Sequence, residues 1–306
     1  MAQIILVGGI NIDIEGSPYA ELRPADSNPG KVGISYGGVG RNIVENVARL
    51  GGDIGMISLT GEDAMGVDAK KHLEDLGVDV RYIEQIPGES TGMYLSILND
   101  KNDMELAICN MDIFKRITPA FLEERLPYME QAMMVGVDCN LDREALEYIT
   151  RNLDVPLFLE PVSASKAERV KDMIGRFHTI KPNRIEAEML SGIKIDSDDD
   201  LRRAAQWFCD QGVKRVFISM GERGAYYKDD TEEGIVATCV TDLVSATGAG
   251  DAFSAAILYG YVHDMSAKEI AELGMACSSI AVETKMAVNP NMSLEAAKNR
   301  VDGNAK

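Results

Sequence analysis

Residues 245–256, SATGAGDAFSAA, set a threonine, two glycines and an aspartate ahead of small and apolar residues. A helix beginning here would expose the backbone N–H groups of Thr247, Gly248, Ala249 and Gly250. Free N–H groups at a helix N-terminus bind an anion, and they can stabilise charge that develops on a transferring phosphoryl group. Asp251 would sit in the first turn, where the helix dipole favours an ionised carboxylate. Such a carboxylate can take a proton from an attacking hydroxyl. Read by itself, the stretch is equally a packed helix that Asp251 merely caps.

Two other stretches carry polar groups at helix starts. In KPNRIEAEML (181–190), Asn183 and Glu186 fall on one side of a first turn. They suit a hydrated Mg²⁺ near phosphates, because Mg²⁺ usually keeps several waters. They also suit a capping box, with Asn183 as N-cap and Glu186 three residues on. In GGVGRNIVENVARLGG (37–52), Gly37, Gly38 and Gly40 precede a helical pattern with Ile43, Val47, Ala48 and Leu50 on its inward side. Glycine lets backbone approach a ligand closely, and Asn42 could present its amide to hydroxyls. The chain has no G-x-x-x-x-G-K-[ST], and GGVGRN lacks the third glycine of a dinucleotide fingerprint. It has no H-E-x-x-H and no G-x-S-x-G. The three scattered histidines do not make a zinc site.

The elements that must position these residues follow a strand–helix rhythm. Strand-like apolar runs occur at 3–9, 53–60, 132–138, 155–161, 178–183 and 215–221. Helical patterns occur at 40–51, 66–77, 141–149 and 200–212. Strands apolar at every position suit a parallel sheet covered on both faces, so the expectation is one doubly wound α/β domain over 1–306. Asp138 and Asn140 would lie at the C-terminal end of a strand, where open α/β sheets bind ligands. Residues 12–36 and 88–111 break the rhythm. The second contains two alternating runs around NDKND, read as a hairpin. Together they predict a small β-sheet lid. Its free edges could pair between two copies, giving a homodimer. The last five residues read as frayed.

Lys and Arg total 31 against 49 Asp and Glu, a net charge of −18. Such a surface repels nucleic acid and anionic membranes, so any phosphate site must be built locally. The apolar run in MAQIILVGGINID is too short for a signal segment with its flanks and reads as a buried strand. Five widely spaced cysteines without C-x-x-C read as reduced thiols of a cytoplasmic protein.

The motifs GGINIDIEG (8–16), GGVGRN, KPNRIEAE, ISMGERGAYY (218–227) and TGAGDAF, in this order, resemble the PfkB (ribokinase-like) family of carbohydrate and nucleoside kinases. The resemblance covers nearly the whole chain and implies a Rossmann-like domain with a small β lid. It implies ATP as co-substrate, Mg²⁺, and a sugar or nucleoside acceptor. Under it, Asp251 is the catalytic base and Gly248, Ala249 and Gly250 form the anion hole. Asn183 and Glu186 organise phosphate and Mg²⁺, the latter through water. Ser219, Gly221, Gly224 and Thr247 line the nucleotide, while Asn11, Asp13, Gly37, Gly38 and Asn42 bind acceptor hydroxyls. Within the family, CNMDIFKRITPAFL (109–122), EPVSASKA (160–167) and AVNPNMS (287–293) are similar to the pseudouridine kinase subgroup, implying transfer to the 5′-hydroxyl of pseudouridine. A kinase of ribose, a hexose or a purine nucleoside, and a non-catalytic regulator on the same fold, are the alternatives. Ser245 stands where the family usually has an acidic residue that helps hold a monovalent cation. Glu160 stands where the subgroup often has Asp.

Overall fold

In the computed structural model, which describes residues 2–239 and 242–304, thirteen strands form two sheets. The larger sheet runs β13-β12-β11-β10-β9-β8-β1-β4-β5. Its strands are β1 (Ile4–Val7), β4 (Ile54–Gly61), β5 (Asp79–Ile86), β8 (Met134–Asp138), β9 (Leu157–Glu160), β10 (Thr179–Ile180), β11 (Arg215–Ser219), β12 (Ala225–Lys228) and β13 (Glu233–Val236). All pairings from β5 to β11 are parallel, and β12 and β13 add an antiparallel edge.

Alternate side chains of the central strands go to opposite faces, as a pleated strand requires. Ile4, Leu6, Met134 and Phe158 point to one core. That core is closed by α1 (Val39–Arg49), α2 (Ala64–Asp75), α9 (Ala249–Val262), α10 (Ala267–Ala281) and α11 (Leu294–Asn304). Ile5, Val7, Val135 and Leu159 point to the other. There the cover is α3 (Pro119–Glu123), α4 (Leu126–Met129), α5 (Arg143–Asn152), α6 (Ala164–Ala167), α7 (Arg184–Ser191) and α8 (Asp198–Gln211). Burial on both faces is why these strands are apolar at every position. Helix α11 continues through Asn304, so the helix reaches into the stretch read as frayed. Residues 305–306 lie outside the described residues.

The second sheet, of order β3-β2-β6-β7, contains β2 (Asn11–Pro18), β3 (Gly30–Gly37), β6 (Gly92–Leu98) and β7 (Met104–Asn110). Strand β2 leaves the C-terminal end of β1 after three residues, and β3 runs straight into α1. The second sheet is therefore rooted at the C-terminal edge of the larger one. Among the described residues, no helix is long and apolar enough to cross a membrane.

Candidate active site

Loops after β1, β8, β9, β10 and β11 converge at the C-terminal edge of the large sheet. β1 is the strand where the chain order reverses, and such switch points open a crevice for ligands. The N-termini of α1 and α9 face the same edge.

Helix α9 begins after Gly248, whose φ is +80° and whose side-chain position would lie 1.9 Å from the Ala287 carbonyl. Only glycine fits there. No side chain caps this N-terminus, so Asp251 is not its cap. The Thr247 N–H donates to Ser245 Oγ at 3.2 Å, while the Ala249 N–H reaches the Ala246 carbonyl only at 3.5 Å. Thr247 is thus already engaged within the turn.

Asp251 Oδ2 accepts from Asn42 Nδ2 at 2.7 Å, linking α9 to α1. Burial, then the Glu160 carboxylate, push the Asp251 carboxyl up to about 7. The Asn42 hydrogen bond and the charges of Lys181 and Arg41 act in the opposite direction. A carboxyl poised near neutrality suits a general base.

On the acceptor side, Asn11 Nδ2 donates to Asp13 Oδ1 at 2.6 Å. Gly37 lies opposite Asn11 in the β2–β3 pair. A side chain at Gly37 would come within 2.4 Å of the Asp13 carboxylate. Gly38, with φ +99°, leads directly into α1. Gly40 lies inside α1 rather than before it. Asn11, Asp13, Gly37, Gly38 and Asn42 are therefore brought together where β2, β3 and α1 meet.

Asp138 ends β8, at the C-terminal edge of the sheet as expected. It is fully buried, and its oxygens accept from the Gly9 N–H (3.1 Å) and the Asn140 N–H (2.8 Å). It ties the ends of β1 and β8 together. Asn140 Oδ1 in turn accepts from Lys166 Nζ at 2.6 Å.

On the nucleotide side, Asn183 and Ser219 form a parallel bridge, placing the ends of β10 and β11 side by side. Asn183 and Glu186 do form a reciprocal capping box on α7, at 2.8 and 2.9 Å. Glu186 is buried, and burial together with Glu160 raises its carboxyl above the ordinary range. Gly221 (φ +60°) and Gly224 (φ +89°) shape the turn after β11.

Four residues had no predicted role. Lys181 and Glu160 form a buried ion pair at 3.1 Å. Ser254 Oγ donates to Glu160 at 2.5 Å. Burial would lower the Lys181 ammonium, but Glu160, Glu186 and Asp251 together hold it above its ordinary value. Lys181 Nζ lies 3.6 Å from where a side chain would leave Gly250, beside the α9 N-terminus. Arg41, on α1, is the fourth. Both Lys181 and Arg41 lie inside motifs visible in the sequence, KPNRIEAE and GGVGRN, but nothing there showed what either side chain would meet.

Among the described residues, no three His, Cys, Asp or Glu side chains converge on a metal position. Glu186, with one oxygen engaged by the Asn183 N–H, is a single carboxylate, which suits a hydrated ion carried by phosphates rather than a bare ion in a protein cage.

Residues 1–294 match the family described as pfkB family carbohydrate kinase. Pseudouridine kinase of Escherichia coli (strain K12) is 39% identical over 293 residues, covering 95% of this chain and 94% of that protein. The uncharacterized sugar kinase YeiI of the same strain is 33% identical over 295 residues, covering 96% and 82%. A solved Clostridium perfringens protein, provisionally assigned as a sugar kinase, superposes with a TM-score of 0.91 at 35% identity, covering 99% of this chain and 96% of that one.

Proposed function

The chain belongs to the pfkB family of carbohydrate kinases, and from that premise we propose that it transfers the γ-phosphoryl group of ATP to the 5′-hydroxyl of pseudouridine. The observation that carries the reading is the Asn42–Asp251 hydrogen bond, which joins the acceptor pocket to an uncapped helix N-terminus. The 39% identity to a pseudouridine kinase supports the choice of acceptor.

In this reading the ribose lies against Asn11, Asp13, Gly37, Gly38 and Asn42. Asp251 takes the hydroxyl proton as the 5′-oxygen forms its bond to the γ-phosphorus and the bond to the β-phosphate oxygen breaks, leaving ADP. The N–H groups of Gly248, Ala249 and Gly250, with the Lys181 ammonium, stabilise the equatorial oxygens. Asn183, Ser219, Gly221, Gly224 and Thr247 line the nucleotide. Bound Mg²⁺ neutralises phosphate charge, and Glu186 would hold its water shell. Asp138 and Asn140 brace the pocket floor. Ser245 supplies no charge for a monovalent cation, so potassium dependence is a separate question for the assay.

The smaller sheet is the lid of this site, and its outer face, rather than its free edges, joins two copies. Residues 1–306 act as one catalytic domain. Five unbridged thiols fit a reducing compartment, the cytoplasm.

A phosphorylation panel of pseudouridine, uridine, inosine, adenosine, ribose and fructose tests the reading, with the modified position located by NMR. Pseudouridine should give the highest kcat/KM, and the rates in potassium and sodium salts decide whether a monovalent cation is needed. A higher value for ribose or fructose assigns the site to a sugar instead.

A further inference from the structure

Helix α1 carries a buried charged pair that transfer chemistry alone does not require. Arg41 is 2% exposed. Its guanidinium donates to the Glu45 carboxylate, the Gly37 carbonyl (3.3 Å), the Tyr36 carbonyl and Asn42 Oδ1. Glu45 is also held by Arg49 (2.8 Å) and His72 (3.0 Å). Tyr36 and Gly37 are the last residues of β3. Asn42 is the partner of Asp251. One side chain therefore bridges the end of a lid strand and the residue that holds the base.

The guanidinium makes this bridge directional. Arginine has donors only, so Asn42 must turn its oxygen toward Arg41 and its NH₂ toward Asp251. The reverse orientation would set an amide oxygen against the carboxylate. Lysine keeps the charge but is a point donor on a flexible stem. It cannot hold two carbonyls, a carboxylate and an amide in one plane.

We propose that Arg41 is a positioning residue that orients Asn42, and through it Asp251, only while the end of β3 is seated. Lid placement and readiness of the base are then one event. The proposal rests on the kinase reading of Asp251.

Two variants test it. Arg41→Lys keeps a positive charge opposite Glu45, and Arg41→Met/Glu45→Gln removes both halves of the pair, so that neither leaves a lone buried charge. Melting temperature identifies the folded variants. Misplacement of a catalytic group by about 1 Å costs roughly 100-fold, so kcat should fall about 10- to 100-fold while KM for ATP changes less than about 2-fold. Amide hydrogen exchange over 30–37 should accelerate relative to α10. A folded Arg41→Lys variant with wild-type kcat overturns the proposal. So does a fall in kcat with unchanged exchange over 30–37. Wild-type protein that phosphorylates no acceptor in the panel refutes the kinase reading, and the exchange comparison then decides whether Arg41 seats β3.

Discussion

Asp251 is held between two opposing demands. The proposed reaction needs its carboxylate ionised, while burial and Glu160 favour the protonated acid and move its pKa up to about 7. The acid limb of kcat/KM against pH should therefore fall near 7, with activity rising as pH increases through it. Asp251→Asn should lower kcat/KM by about 10²- to 10⁴-fold. Its stability should move the other way. A carboxyl whose folded pKa is raised contributes stability that is present below the unfolded value and lost as pH rises through the folded one. Asp251→Asn should thus melt above the wild type at pH 8, with the gap growing from about pH 4 to about 7 and then levelling. A pH-independent melting difference would place the perturbation elsewhere. At this scale the sequence disclosed residue types and their order, but not which groups would meet. Asp251 and Asn42 were legible because each opens a glycine-preceded helix. Their mutual hydrogen bond spans 209 positions and exists only in the fold. The bonds Asp138 accepts from the Gly9 and Asn140 N–H groups were not legible, because Gly9 lies 129 positions away and meets it only in the fold.

Elements decide where such groups point, and helix α9 does so through its first residue pair. Gly248 has both a left-handed backbone and no room for a side chain, since a Cβ would lie 1.9 Å from the Ala287 carbonyl. Gly221 shares the left-handed backbone, but a Cβ there would meet nothing within 4 Å. Gly221→Ala should cost about 1 kcal/mol of conformational strain without displacing any described protein atom. Gly248→Ala must displace backbone at the proposed anion-binding end, so kcat/KM should drop by about 100-fold or more. Calorimetry with ADP separates the two, and unchanged ADP affinity in Gly248→Ala would remove the α9 N-terminus from the nucleotide site. The strand–helix alternation was readable because central strands are buried on both faces, and the hairpin over β6 and β7 because its residues alternate around a polar turn. The capping box at Asn183 and Glu186 was one of two open readings. A cap and a phosphate-side ligand use the same two side chains, so spacing could not separate them.

At the scale of the molecule, the small sheet presents an apolar outer face that is exposed along β3 and β7, while Ile14 packs against the main core. Ile34, Ile14, Leu95 and Ile108 lie in register across its four strands, and Val32, Gly16, Ile97 and Leu106 form the next row. Val32 is 71% exposed, Ile34 62%, Leu106 50% and Ile108 62%. A groove of about 600 Å³ continues this face under Leu22 and Pro24. Asp13, Ser35 and Tyr94 occupy alternate positions, on the opposite face. Covering the outer face therefore leaves the acceptor side open. Contiguous exposed apolar surface of this kind marks an association site. A second copy fits it, because two such sheets can stack face to face about 10 Å apart and a two-fold axis sets the same rows against each other. The net charge of −18 on each copy opposes that contact. Screening weakens the repulsion and leaves the apolar contact in place. The dimer should accordingly tighten with added salt, the reverse of an interface held by ion pairs. Sedimentation of the wild type should show a dimer, and Ile34→Lys/Ile108→Lys should show a monomer. The large sheet, whose core contains neither residue, should keep its melting transition in that variant. A monomeric wild type at micromolar concentration, or a dimer that survives both lysines, would free this face from the assembly.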